Sequence, residues 1–219
     1  MDRWATFDCY GTLIDWNGGI GRELERLFGV DRAARLLHGY HELERELERE
    51  QPAASYREVL TNALVRLADR EGLDLEPAEQ DALARSLPDW RPFPEVPAAL
   101  EEARARGWKL AILSNTDRDF IDASLERIGI PFELSIVASE IGSYKPGPAH
   151  WRVFEERAGG ATAHVHVGAS LYHDIAPATE LGLPTVWINR LGEEPEPHPD
   201  VELHSLTGLA GALHSLVAA

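Results

Sequence analysis

Positive charge is scarce in this sequence. Its 219 residues carry 21 Lys and Arg against 37 Asp and Glu, a formal net charge of −16. Nucleic acids and anionic membrane surfaces are bound through clustered Lys and Arg, so the balance argues against both as partners. A small anionic substrate is still allowed, because a local cationic pocket can outweigh a distant acidic surface. Cysteine is nearly absent as well. Cys9 alone cannot close an internal disulfide, which fits a reducing compartment. No apolar run reaches the roughly eighteen residues a membrane helix needs. Met1-Asp2-Arg3 leads straight into an apolar stretch, without the basic segment and apolar core of a secretion signal. A cytoplasmic location is therefore expected. What is present suits a globular chain: 44% hydrophobic and 26% charged residues, unlike the composition of disordered proteins.

Five short apolar runs read as strands: WATFD (4–8), KLAILS (109–114), LSIVAS (134–139), HVHVGA (164–169) and TVWIN (185–189). Between the later ones lie stretches of helical period at 94–107, 117–129, 148–159 and 174–182, several of them stopping at glycine. Strands alternating with helices predict parallel βαβ units in a doubly wound, Rossmann-like sheet. Strands apolar on both faces fit a sheet covered on each side. Residues 17 to about 88 break the alternation with four consecutive helical patterns and no strand. The expected architecture is therefore an α/β core (1–15 and 91–219) interrupted after its first strand by an all-helical cap (16–90).

Ligands of open parallel sheets bind beyond the carboxyl ends of the strands. Those ends deliver Asp8, with Cys9, Tyr10, Gly11 and Thr12 after it; then Ser114, Asn115 and Thr116; then Lys145; then Ala169 and Ser170, with Asp174 close behind. Singly, such residues are ordinary: an Asp after a strand usually caps a turn, and a Lys before Pro is usually solvated. Together they bring an acid, a hydroxyl and amide pair, an ammonium and a second acid to one edge.

FDCYGTLIDW, LSNTD, YKPGP and GASLYHD, in that order, resemble the four motifs of the haloacid dehalogenase superfamily, and the helical insertion resembles its cap. The resemblance spans nearly the whole chain. It implies a covalent mechanism with Asp8 as nucleophile, Thr12, Ser114 and Lys145 around it, and Asp174 orienting Lys145 and the hydrolytic water. Tyr10, Asn115, Tyr40 and His41 complete the expected substrate-binding set. In phosphatases of the superfamily a second Asp stands where this chain has Tyr10, and a Mg²⁺-binding Asp follows the glycine of the last motif, where this chain has Ala169. A phenol is a poor proton donor at neutral pH, and alanine cannot ligate a hard cation. The pattern instead resembles the 2-haloacid dehalogenase branch, which needs no metal, and a halide leaves without a proton, so the missing acid is no loss there. The expected cofactor is none.

Two departures stand out. That branch carries an arginine roughly thirty residues after the nucleophile, on the cap; here Gly39, Tyr40 and His41 occupy the region and the first arginine is Arg45. A ring cannot replace a permanently charged guanidinium one for one. The last motif also shows Ala169 and Leu171 in place of serine and asparagine. A Mg²⁺-dependent phosphatase using Asp8 and Asp174, and a non-catalytic anion-binding protein, stay open as alternatives, as does a homodimer.

Other residues have bland and sharp readings. Glu42 and Glu44 read as part of a solvated helix with i,i+4 charge pairs. His164 and His166 share a strand face; that spacing could suit a metal, but buried core histidines are the expectation. His173 fits either the cavity entrance or the surface. Trp16, Trp90 and Phe93 read as packing at the two core–cap crossings, and Cys9 as non-catalytic.

Overall fold

The computed structural model of the protein describes residues 2–52, 54–160 and 163–217. Six strands form one all-parallel sheet in the order β3-β2-β1-β4-β5-β6. They are β1 (Arg3–Phe7), β2 (Trp108–Ser114), β3 (Leu134–Val137), β4 (Ala163–Gly168), β5 (Thr185–Ile188) and β6 (Val201–Leu203). Alternation along the strands separates two core layers. Ala5, Phe7, Leu110, Ile112, Val165 and Val167 enter the larger cluster, whereas Trp4, Ala111, Leu113 and Ile136 pack with Trp151 and Phe154 on the other face. The inner strands β1, β2, β4 and β5 read as largely apolar runs because both of their faces are covered.

Helices α1 (Trp16–Phe28), α2 (Val30–Glu50), α3 (Tyr56–Glu71) and α4 (Ala82–Ser86) follow β1. Every regular element between Asp15 and Trp90, among the described residues, is helical. Ile20 and Leu24 of α1, Leu36, Leu43 and Leu47 of α2, and Leu60, Leu64 and Leu67 of α3 form the buried stripe that holds this group together. A Cβ at Gly19 would lie 2.4 Å from the Trp90 ring, so glycine lets α1 settle on the indole at the second crossing. At the start of α3, Ser55 and Glu58 form a reciprocal capping box. Asp117, from the β2 side, also accepts from the Tyr56 and Arg57 amides at 3.0 and 2.9 Å. A carboxylate at a helix N-terminus is favoured by the exposed amides and the dipole.

The chain then alternates: α5 (Val96–Ala105), β2, α6 (Arg118–Ile128), β3, α7 (Ala138–Ile141), α8 (Ala149–Ala158), β4, a π-helical turn (Leu171–Ile175), α9 (Ala176–Glu180), β5, β6 and α10 (Leu209–Val217). Three features differ from expectation. β6 is three partly exposed residues, too short for a periodic signal. α10 was not anticipated. The helix expected over 174–182 begins earlier, as a π turn whose N-cap, Ser170, accepts from the His173 amide at 3.0 Å. Such turns concentrate at functional sites. β1 has β2 on one side and β4 on the other, so the strand order reverses at β1 and opens a crevice beyond its carboxyl end.

Candidate active site

Asp8 follows β1 at that reversal. The chain next folds back in a tight loop, with the Leu13 and Ile14 amides both donating to the Cys9 carbonyl. Gly11 turns the loop at φ +90°, a conformation that strains residues with a Cβ. The turn brings Thr12 back onto the carboxylate. Its hydroxyl donates to Asp8 Oδ2 at 2.9 Å and accepts from the Ala169 amide at 2.9 Å, so one side chain ties the ends of β1 and β4 together.

Lys145 reaches Asp8 from the loop between α7 and α8. Its Nζ lies 3.0 Å from Asp8 Oδ1 and 2.6 Å from Asp174 Oδ1. Asn115 fixes this lysine from β2: its Oδ1 accepts from the Lys145 amide at 2.6 Å and its Nδ2 donates to the Lys145 carbonyl at 3.0 Å. Asp174 stands on the π turn, and its Oδ2 accepts from the Ser170 amide at 3.1 Å. A Cβ on Gly168 would lie 2.4 Å from the Asp174 side chain, so glycine at the end of β4 leaves room for that carboxylate.

Lys145 and Asp174 are buried, while Asp8 keeps 13% of its side chain exposed. The opening belongs to the nucleophile candidate. Burial works against every charge here, but the partners decide the direction. Asp174 is held below the usual carboxylate range, because Lys145 and His166 outweigh its desolvation. Lys145 is held above its ordinary value by Asp174 and Asp8, against desolvation. For Asp8 desolvation wins, aided by the Asp174 charge, and its pKa is raised despite Lys145 and Thr12. Deep burial of an ion pair is costly unless the remaining hydrogen bonds are satisfied, and here the Thr12 hydroxyl supplies one to Asp8 Oδ2 and the Ser170 amide one to Asp174 Oδ2.

A cavity of about 400 Å³ opens on this cluster. Ser114 lines it with a buried hydroxyl that has no hydrogen-bond partner. Tyr10 also lines it, but its hydroxyl is engaged with Ser124 Oγ at 3.0 Å and its ring stacks on Tyr56 at 6.0 Å. Burial pushes that phenol well above its ordinary pKa. His41 lines the cap side, stacked on Trp16 at 4.6 Å, and its buried Nε2 has no partner. Desolvation, with Arg45 and His38 nearby, lowers its pKa to about 4.

Two expectations for α2 are corrected. Tyr40 is fully buried among the cap helices and does not line the cavity; it falls on the inner face of α2, one position from His41. Glu44 is not on a solvated face. It is buried, lines the cavity, and accepts from the Tyr56 hydroxyl at 2.8 Å, which in turn accepts from Trp16 Nε1 at 3.0 Å. Glu42 is exposed as expected. Glu48, one turn on, pairs with His173 at 3.2 Å across the cavity mouth.

Arg45 lines the cavity as well, although it follows His41 by four residues. That spacing returns a side chain to the same helix face. Arg190 lies outside the set expected from the sequence. It follows β5, donates to the Thr12 carbonyl at 2.8 Å, pairs with Glu95 at 2.8 Å and lies 3.5 Å from the centre of the Phe93 ring. Applying the strand-end rule to the fifth strand would have found it. His164 and His166 hydrogen-bond to Thr6 rather than gathering around a common centre, and no cluster of three metal-ligating side chains occurs among the described residues. Cys9 is buried, with burial and Asp8 pushing its thiol well up. No helix of the described residues is long and apolar enough to cross a membrane.

The sequence pattern of haloacid dehalogenase-like hydrolases matches residues 3–182. The chain belongs to that family. Within it, the (S)-2-haloacid dehalogenase of Pseudomonas sp. (strain YL) is 32% identical over 207 residues, covering 91% of this chain and 89% of that one. The haloacetate dehalogenase H-2 of Moraxella sp. (strain B) is 30% identical over 190 residues, covering 85% of each. The fold of this family member also matches the crystal structure of an L-2-haloacid dehalogenase with a TM-score of 0.87 at 25% identity, over 97% of this chain and 99% of the other.

Proposed function

We propose that this hydrolase cleaves the carbon–halogen bond of small 2-haloacids through an ester formed on Asp8. The observation that carries the reading is the Lys145 ammonium shared between Asp8 and Asp174, beside a Tyr10 hydroxyl committed to Ser124. The nucleophile has its counter-ion, and the position where a phosphatase needs an acid holds none.

In the first step an Asp8 oxygen attacks the carbon bearing the halogen, and the bonding pair leaves with the halide. In the second, water adds to the ester carbonyl and the bond between the Asp8 carboxyl carbon and the ester oxygen breaks; one proton of the water goes to the departing oxygen, giving the hydroxy acid, and the other leaves to solvent, so that Asp8 is a carboxylate again. Lys145 balances charge at the carboxylate through both steps. Ser114, with its unpartnered hydroxyl, is suited to the substrate carboxylate, and Asn115 keeps Lys145 in place. Arg45 and His41 face the substrate from the cap, which we take as residues 16–90, with 1–15 and 91–219 as the core; residues 1, 53, 161, 162, 218 and 219 lie outside the described residues. The relatives named above act on haloacids by name, which supports this substrate class.

The donor set does not fit Mg²⁺. An ammonium stands between the two carboxylates, and Ala169 offers no oxygen ligand from its side chain. We therefore propose a reaction without metal or other cofactor, on a small anionic substrate, in a cytoplasmic protein that binds neither nucleic acid nor membrane. A homodimer is compatible with this reading.

Halide release from 2-chloropropionate and chloroacetate, measured with and without chelator beside an aryl phosphate, tests the reading. Chelator-resistant halide release supports it. Phosphate hydrolysis alone, abolished by the chelator, overturns it.

A further inference from the structure

The cavity on Asp8 has two unlike walls. The core supplies the reacting groups and the aliphatic lining, Ala169, Ile188 and Leu191. Among the described residues, 16–90 add no aliphatic side chain to it. Helix α2 lines the cavity with His41, Glu44, Arg45 and Glu48, and α1 and α3 add Trp16, Asn17 and Tyr56. The leucines of α2, Leu36, Leu43 and Leu47, enter the hydrophobic core instead. Ligand pockets are mostly apolar, and a wall facing an alkyl chain would follow that rule. This wall is built to hydrogen-bond.

Its groups are held in place. Trp16 Nε1 donates to the Tyr56 hydroxyl at 3.0 Å, and that hydroxyl donates to Glu44 Oε1 at 2.8 Å. Trp16 also stacks on the His41 ring at 4.6 Å, with 14° between the planes. One indole thus sets both Glu44 and His41. Hydrogen-bonding capacity is left over. Tyr56 takes only one of the two Glu44 oxygens, and the buried His41 Nε2 and Asn17 Oδ1 have no partner. A ligand group that matches such atoms recovers the cost of burying them.

The wall is polar without strong charge at these two residues. Burial, with Arg45 and His38 nearby, lowers the pKa of His41 to about 4 and keeps the ring neutral. Burial beside Glu48 pushes the Glu44 carboxyl well above its ordinary range, and Glu48 itself is paired with His173 at the mouth. A neutral imidazole and a neutral carboxyl group each donate and accept, and so does a hydroxyl. At about 400 Å³ the cavity falls among those that hold ligands larger than chloroacetate.

We propose that the cap wall selects 2-haloacids whose C2 substituent carries a hydroxyl group, bound by Glu44 and His41. The inference rests on the reaction proposed above and narrows its substrate class. The hydroxyl takes no part in the bond changes; with a hydroxymethyl group on C2, exchange of halide for hydroxide yields a 2,3-dihydroxy acid. A site built to bond a substrate hydroxyl rejects the analogue that lacks it, whereas an apolar pocket discriminates weakly against an added hydroxyl. The polar wall therefore sets specificity.

2-Chloro-3-hydroxypropionate and 2-chlorobutyrate differ only in a hydroxyl for a methyl group. Halide release from each by the full chain at neutral pH, with chloroacetate as reference, tests the proposal. The hydroxy acid should have a kcat/KM about tenfold or more above that of 2-chlorobutyrate. In Glu44→Leu that advantage should shrink by about tenfold through the hydroxy acid, with 2-chlorobutyrate held within about threefold of the unaltered protein. A merely structural role for Glu44 lowers both alike. His41→Leu gives the same selective loss and serves if Glu44→Leu does not fold. Equal kcat/KM for the two acids, a preference for 2-chlorobutyrate, or an advantage that survives both substitutions overturns the proposal. A preference for 3-amino-2-chloropropionate over the hydroxy acid would mean that the wall reads charge, and overturns it too. Chloroacetate turned over without any preference for the hydroxyl leaves the dehalogenase reading standing and removes this inference. No halide from any of these acids overturns that reading, and the inference with it.

Discussion

Asn115 and Lys145 are joined twice, the amide oxygen accepting from the lysine's backbone N–H and the amide nitrogen donating to its carbonyl. The pair fixes the backbone from which Nζ reaches Asp8 and Asp174. Asn115→Ala should therefore misplace the ammonium more than it unfolds the protein. Two hydrogen bonds are together worth about 1–3 kcal/mol, whereas a 1 Å displacement at the reacting groups costs about 10²-fold in rate. The expectation is a kcat for halide release about 10–10²-fold lower, with a thermal midpoint only a few degrees down. A stable variant with unchanged kcat would remove Asn115 from the positioning machinery.

Asp117 joins core to cap by capping α3 through the Tyr56 and Arg57 amides. Tyr56 then bears on Glu44 and Trp16, so the cap wall of the cavity is registered through this one carboxylate. Asp117→Ala should cost about 1–2 kcal/mol as a lost helix cap and raise KM for 2-chloropropionate more than it lowers kcat. A loss of stability with KM unchanged would mean that the Ser55 capping box holds α3 in place unaided.

Tyr10→Phe separates packing from chemistry. The hydroxyl is engaged with Ser124 and its acidity is suppressed by burial. Its removal should cost about 1 kcal/mol of stability and leave kcat nearly unchanged, against the ~10²–10⁴-fold loss expected for a general acid. A loss of that size in steady-state halide release would make Tyr10 a participant.

Acid should unfold this protein partly through its histidines. Burial, with cationic neighbours, lowers the pKa of His41 to about 4 and those of His150 and His164 to about 3, from 6.5. Between those values the unfolded chain binds protons that the folded chain refuses, so stability is intact above about pH 6.5 and falls as pH drops towards 4 and below. A fully buried ring such as His150 contributes on the order of 3 kcal/mol to that loss. Urea midpoints measured from pH 7.5 to 4.5 should decline steeply, and less so in His150→Gln. A flat profile would contradict the burial of these rings.

Strands β1 to β5 were legible because they are short, largely apolar runs, and the helical run after β1 because four amphipathic stretches follow one another without a strand; β6, three residues with an exposed Glu202, was not. Asp8, Thr12, Lys145 and Asp174 were legible because the strand-end rule and the motif order name the same positions. The inner wall was legible only in part. Glu44 stands four residues after Tyr40, on the same buried stripe of α2 as Leu43 and Leu47, so its inward position follows from the helical period; the partner that accommodates its carboxylate there, the Tyr56 hydroxyl, comes from another helix and leaves no trace in that pattern. Arg190 escapes for a related reason: its partner, the Thr12 carbonyl, stands 178 residues away in sequence.

The central claim is the ester on Asp8, and isotope transfer in a single turnover tests it most directly. With enzyme in excess over 2-chloropropionate in ¹⁸O water and chelator present, water attacks the carboxyl carbon of Asp8, and one ¹⁸O is left in the peptide containing residues 5–16. Labelled peptide with unlabelled hydroxy acid is the predicted result. Label in the hydroxy acid and none in Asp8 would show that water attacks the substrate directly, and would contradict the account.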